Sequence, residues 1–236
     1  MKRKYQIIKL VKCHFNFCFS KKSSILLISL LVISTIYNFI VIDNIDESLG
    51  SNYLFQGYLE STLSFFNFLS ILFSIIVFSY SFLTKQDSYL SYLIGSRVTK
   101  LAYFYTKIVA IVIYSLLFFI ALIISFFIPF FVKKTLYIDS SVVLCFLDAL
   151  KVMIYYGLIS LLLVLAFDNM YVAIIPIVLF IFSTNITLLE EKLSKILSCI
   201  IPVYSESYLL ISPKGVIITI IMILVIINGI YYYYRD

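Results

Sequence analysis

Residues 108–132 read IVAIVIYSLLFFIALIISFFIPFFV, a run without one charged side chain. At about 1.5 Å of rise per residue, a helix of this length covers more than the roughly 30 Å hydrocarbon core of a bilayer. Outward from it, charge-free runs recur at 24–42, 62–83, 171–189 and 216–234. A sixth run, 142–167, is long enough but holds Asp148 and Lys151. These two lie three residues apart, so they share a helix face and can pair, which lowers the cost of placing charge in lipid. None of the runs alternates with period two, and unpaired backbone groups in lipid cost several kcal/mol, so the spans are expected as helices. Composition agrees: 63% of residues are apolar, 13% are charged and the mean hydropathy is +1.08, whereas a soluble domain carries roughly 25% charged residues. The expected fold class is all-α integral membrane, with six transmembrane helices. A basic amphipathic helix over 1–22 precedes a single transmembrane domain over 23–236.

Charge sets the expected orientation. Lys2, Arg3, Lys4, Lys9, Lys12, Lys21 and Lys22 precede the first run with no acid among them, which places the N-terminus in the cytoplasm. That run reads as a retained anchor, because Asp43-Asn44-Ile45-Asp46 follows it where a signal peptide would carry small residues. Six spans return the C-terminus to the cytoplasm. The inner side then adds Lys85, Arg97, Lys100 and Arg235 against Asp87, Asp168 and Asp236. The outer side takes Asp43, Asp46, Glu47, Glu60, Asp139, Glu190, Glu191 and Glu206 against Lys133, Lys134, Lys192, Lys195 and Lys214. The net charge of +6 is thus concentrated on one face, where it suits anionic lipid headgroups; it reads as topology and not as nucleic-acid binding.

Three stretches do more than cross. Over residues 5–20, Ile8, Val11, Phe15, Cys18 and Phe19 recur at helical spacing, with Lys9, Lys12 and Asn16 facing elsewhere. This is the pattern of an interfacial amphipathic helix. Residues 84–107 read TKQDSYLSYLIGSRVTKLAYFYTK. Asp87 or Ser88 can cap a helix start there and Gly95 its end, leaving Tyr89, Leu90, Tyr92, Leu93 and Ile94 at the cytoplasmic edge, where apolar side chains need a covering surface. Between the last two runs, Leu189, Leu193, Ile196, Leu197, Ile200 and Ile201 form a helical stripe broken by Pro202 and Pro213, as expected of a segment folded back into the outer leaflet.

Much chemistry is excluded. The single histidine, His14, rules out a histidine-based metal centre inside the membrane and reads as structural or solvated. Cys13, Cys18, Cys145 and Cys199 have neither metal-ligand spacing nor the pattern of a disulfide framework. No GxxxxGK[ST] loop occurs, so energy for transport would come from a separate ATPase that holds ATP and magnesium, and the chain itself is expected to be neither an enzyme nor a cofactor protein. A secondary transporter should carry ionisable residues at midplane, for which only Asp148 and Lys151 qualify, with Pro176 the one mid-span proline.

Taken together, the basic amphipathic N-terminal helix, six spans, a short capped helix in the first cytoplasmic loop and a broken outer segment resemble the ABC-2 type permeases, the membrane subunits of ABC exporters. Locally, Leu90, Leu93, Arg97 and Lys107 match the family's loose pattern of leucines, then arginine, then a lysine opening the third span. The resemblance implies that Ser88, Tyr89, Leu90, Tyr92 and Leu93 belong to a coupling helix that seats on the ATPase, with Arg97 and Lys100 beside it. It also implies a cytoplasmic ABC ATPase as partner, a second permease copy or a similar permease in a homo- or heterodimer, and first, second and fifth spans that face the partner or the pathway. The expected location is a bacterial plasma membrane. Small permeases of this kind in Gram-positive bacteria export amphipathic peptides, either the cell's own, such as phenol-soluble modulins, or an attacker's, as in bacteriocin immunity. The 22 Phe and 20 Tyr suit such a cargo but suit plain packing equally well. A non-transport immunity or assembly factor and a secondary transporter working through Asp148 are the alternatives.

Overall fold

The computed structural model describes residues 2–18, 21–45, 51–83, 99–133, 140–185, 197, 201–202 and 213–234. Helices and turns account for them, with no strand among the described residues. Five helices are long and apolar enough to cross a membrane: Ser24–Asn44, Phe55–Ser81, Lys100–Val132, Val142–Phe167 and Lys214–Tyr234. The chain has the build of an all-α, multi-pass membrane protein. In chain order the helices are α1 (Lys2–Cys18), α2 (Lys21–Asn44), α3 (Ser51–Ser81), α4 (Lys100–Lys133), α5 (Ser140–Phe167), a 3-10 turn (Met170–Ala173), α6 (Ile174–Asn185) and α7 (Lys214–Tyr234).

Local chemistry moves two boundaries from where apolar runs alone put them. Thr99 opens α4, its hydroxyl accepting the N–H of Ala102 at 3.3 Å and its carbonyl that of Tyr103 at 3.0 Å. The third span therefore starts before Ile108 and carries Lys107 inside it. That side chain is tolerated because its ammonium lies 4.4 Å from the ring centroid of Phe82 and 5.4 Å from that of Tyr103. At the far end of α5, Asp168 adopts a left-handed conformation with φ 47°, and its N–H donates to Val164 O at 2.8 Å. A short polar side chain bears that backbone better than a branched one. Asn169 then accepts the N–H of Tyr171 at 2.9 Å, which starts the 3-10 turn into α6. Pro176 sits in the first turn of α6 instead of mid-span, at a position where a missing N–H costs little. Helix α6 has 12 residues, about 18 Å of rise, and the expected run 171–189 continues beyond it outside the described residues.

Pro129 lies within α4 and cannot donate to the carbonyl of Ser125 one turn back. In lipid that acceptor must be met from elsewhere. The side-chain amide of Asn38 in α2 donates to it at 3.2 Å, and on the next residue Phe126 O accepts the Tyr58 hydroxyl at 2.8 Å. The Ser125 hydroxyl joins Ser34 at 3.2 Å and Thr35 at 3.0 Å, closing a polar seam between α2 and α4.

Ring and hydrogen-bond contacts fix the direction of each helix. Along α3, Phe82 meets Phe104 of α4, Phe73 stacks on Phe118 at 3.8 Å, and Phe55 meets Phe130, so α3 and α4 are antiparallel. Phe66 meets Phe146, whereas further along Ser79 bonds Ser160, so α3 and α5 are parallel. Lys214 reaches Asp148 and the Asn228 amide donates to Leu158 O at 3.2 Å, so α5 and α7 are parallel as well. The end of α7 returns to the start of α4, with Tyr232 stacked on Phe104 at 5.1 Å. One end of the bundle, here the proximal end, therefore gathers α1, the end of α3, the start of α4 and the end of α7. The ends of α2 and α4 lie at the opposite, distal end. Helix α3 is the most buried of the five long helices, and α2 and α7 are the most exposed.

Candidate functional site

Three places combine polar chemistry with access. The first is an ion cluster on α5. Asp148, 4% exposed, accepts Lys151 Nζ on Oδ1 at 2.8 Å and Lys214 Nζ on Oδ2 at 2.8 Å. The first bond is the pair that i,i+3 spacing allows. The second comes from the first residue of α7 and is invisible in the sequence, because only the parallel packing of α5 and α7 brings it there. The cluster lies toward the distal end, since Lys214 is the first residue of α7 and Asp148 falls in the first third of α5. Phe146, half a turn away, touches Phe126, seven residues before the end of α4, at 5.4 Å and Phe66 of α3 at 5.1 Å.

The second place is a lateral groove of about 400 Å³ between α2, α3 and α6. Tyr37 comes from α2, Ser61, Ser64, Phe65 and Phe68 from α3, and Phe180 and Ile181 from α6. Tyr37 donates to Ser61 O at 3.2 Å and its ring lies 4.1 Å from that of Phe65. Hydroxyl groups and aromatic rings thus line the groove together, and no charged side chain does. Phe65 and Phe68 are two of the phenylalanines that crowd the second span in the sequence. The others face inward: Phe66, Phe73 and Phe78 are buried against α4 and α5.

The third place is the proximal end. Helix α1 packs along the start of α4 through Leu10, His14, Phe15 and Cys18. His14 is 2% exposed, with its ring edge-on to Tyr103 at 4.8 Å, so it is structural. Ile8, on the same apolar stripe, is exposed, as the lipid-facing part of an interfacial helix would be. Burial pushes the Cys18 thiol up to about 11, against the opposing pull of Lys107 and a hydrogen bond with Ser81. Lys100 holds its ammonium 5.9 Å over the ring of Tyr232, the buried member of the Tyr231 to Tyr234 run. Tyr231, Tyr233 and Tyr234 point outward as an aromatic belt does.

Of the residues expected to meet an ATPase, only Lys100 is described; Ser88, Tyr89, Leu90, Tyr92, Leu93 and Arg97 lie outside the described residues, as does most of the segment 190–212. Cys145 is an unbridged thiol. Among the described residues no three His, Cys, Asp or Glu side chains gather as a metal site. Compared with protein-family models and with characterised proteins, the sequence matches neither a family nor an individual protein.

Proposed function

We propose that the chain is the membrane-spanning permease subunit of an ATP-driven exporter of the ABC-2 type, carrying amphipathic peptides out of a bacterial cell. The observation that carries this reading is the groove. Its lining comes from the first, second and fifth apolar runs, the three that the resemblance assigns to the partner or the pathway. Mixed hydroxyl and aromatic walls suit a cargo with both an apolar and a polar face.

The helix directions support a sixth crossing. Because α5 and α7 are parallel, the chain between them must travel back along the bundle. Helix α6 begins that return, with Ser183 brought level with Tyr156 at 3.4 Å. An even number of crossings puts both termini on the proximal side, which the basic N-terminal segment assigns to the cytoplasm. The coupling helix over 88–94 would then emerge from the same end, between α3 and α4, with Lys100 at its border.

Asp148 weighs against a secondary transporter. Each of its oxygens already accepts a lysine, so a coupling ion would have to compete with two ammonium groups for it.

The test is co-purification of a soluble P-loop ATPase from detergent extract with the wild-type chain and with Leu93→Asp. Recovery with wild type and loss with the variant, at equal membrane insertion, is the expected result. If a well-folded wild-type preparation brings down no ATPase, the exporter reading fails and an immunity or assembly role takes its place.

A further inference from the structure

A serine or threonine hydroxyl on a lipid-embedded helix ordinarily bonds a carbonyl one turn back, because lipid offers it no other partner. On α3, Thr62 donates to Tyr58 O at 2.7 Å, Ser70 to Asn67 O at 2.8 Å and Ser81 to Val77 O at 2.7 Å, while Ser79 bonds Ser160 of α5. Ser61 and Ser64 break this pattern: among the described residues neither hydroxyl meets a partner. Ser74 is unpartnered too, but it is packed against Gly157 with no room for a ligand. Ser61 and Ser64 instead line the groove between α2, α3 and α6, three residues apart on one face of α3. Ser64 stands nine residues, about 14 Å of rise, past Phe55, where the apolar stretch of α3 begins. A hydroxyl left unmet among apolar groups costs free energy until something enters to meet it.

The remaining polar group of the groove has spare capacity as well. Tyr37 donates its hydroxyl proton to Ser61 O at 3.2 Å, which leaves its oxygen as an acceptor. The lining thus offers two hydroxyls that can donate or accept and a third that can accept. A hydroxyl on a ligand, donor and acceptor at once, matches that set. A charged group does not, because no side chain of the lining carries a countercharge and unpaired charge beside lipid is costly. Apolar surface lies next to the hydroxyls in the rings of Phe65 and Phe68. Across the groove, Phe180 is buried and Ile181 is exposed, so the α6 wall runs out to the surface that faces lipid. About 400 Å³ is the size of a small-molecule site.

We propose that the groove binds a small uncharged amphiphile by a hydroxyl group on its head. That hydroxyl accepts the Ser64 proton and donates its own to the oxygen of Tyr37 or Ser61, and the hydrocarbon part of the ligand lies over Phe65, Phe68 and Phe180. As a station on the export pathway the site rests on the function proposed above, and it narrows the cargo to one that presents an uncharged group there. As a binding site it needs no ATPase.

The full chain in phosphatidylcholine nanodiscs, with no ATPase present, tests it by photolabelling with a medium-chain alcohol that bears a diazirine and with the same probe lacking the hydroxyl. Mass spectrometry of the labelled peptides reads the site. Saturable labelling around Tyr37 and along 61–68 by the alcohol over the hydrocarbon is expected, with apparent affinity about fivefold weaker in Ser61→Ala and in Ser64→Ala, in line with the loss of one neutral hydrogen bond. Neither hydroxyl holds the bundle together, so both variants should elute as wild type. Ile181→Trp, which fills the groove from its exposed edge, should abolish the labelling, and an alkyl sulfonate carrying the same diazirine should leave these segments unlabelled. Equal labelling by alcohol and hydrocarbon overturns the site, as does labelling by the sulfonate or an unchanged affinity in Ser64→Ala. Failure here while the wild-type chain still recovers an ATPase strikes the site and leaves the exporter standing. Saturable labelling by a chain that recovers no ATPase does the reverse.

Discussion

The side-chain amide of Asn38 donates at 3.2 Å to the carbonyl of Ser125, the acceptor that Pro129 leaves open one turn further along the same helix. A polar residue buried between α2 and α4 thus repairs a gap that proline makes in lipid, where water cannot. The two residues should be energetically coupled. Asn38→Ala should cost about 1 kcal/mol of helix-packing stability in the native background. In a Pro129→Ala background the cost should fall by half or more, since an alanine N–H now serves Ser125. A double-mutant cycle on detergent-induced unfolding measures this coupling, and strictly additive effects rule it out.

Gly157 and Gly229 look alike in sequence and should behave differently. A Cβ on Gly157 would run into the Ser74 hydroxyl and the Phe78 ring where α3 and α5 cross. Both neighbours are fully buried and have nowhere to go. Gly157→Ala should therefore destabilise the bundle by about 1–3 kcal/mol, the usual range for overpacking. On Gly229 the nearest atom is the Tyr105 hydroxyl at 2.8 Å, the far end of a side chain that is 40% exposed and can swing away. Gly229→Ala should be close to neutral. Thermal inactivation of the two variants in the same detergent separates them, and equal losses would mean that the α3–α5 crossing is looser than described.

How far these features are legible in the sequence depends on whether their cause is local. The long runs at 24–42, 62–83, 108–132, 142–167 and 216–234 each fall on a helix because lipid demands length and apolarity of the segment itself. The start of α4 is misjudged because the run of residues suggests that Lys107 ends the span. Only Phe82 and Tyr103, brought alongside by folding, show why a lysine can lie inside it. Asp148 and Lys151 can be paired by counting along one helix, but Lys214 cannot, since its approach follows from two helices running parallel. Helical spacing likewise draws an apolar stripe on α1 but cannot say that His14 meets protein, because the position of Tyr103 on another helix decides that.

Cys13 and Cys18 supply a pH test of the α1 contact. Cys13 is exposed, whereas Cys18 is buried and its thiol is pushed up to about 11 from an ordinary value of 9.0. At pH 8 a water-soluble maleimide should modify Cys13 readily and leave Cys18 untouched, because only the thiolate reacts. The sign of the linkage follows. The folded chain holds the Cys18 proton more tightly than the unfolded one, so this stabilisation is complete below pH 9 and is lost as pH rises through about 11. Release of α1 over that window, seen as Cys18 alkylation, is the expected result. Equal labelling of both cysteines at pH 8 would show that α1 is not docked on α4.

Single cysteines in a cysteine-free background test the direction of the bundle. Gln56 is exposed near the distal end of α3, level with the turn after α2, and Thr99 is exposed at the proximal start of α4. If the basic N-terminal segment holds the proximal end in the cytoplasm, an impermeant maleimide applied to intact cells should label Gln56→Cys and reach Thr99→Cys only after permeabilisation. Asn169→Cys, in the turn between α5 and α6, should behave like Thr99→Cys. The last position carries the most weight. It lies where α5 ends parallel to α7, so an inner Asn169 together with an inner end of α7 requires the chain to cross twice more between them. Labelling of Asn169→Cys from outside would break that requirement and with it the count of six.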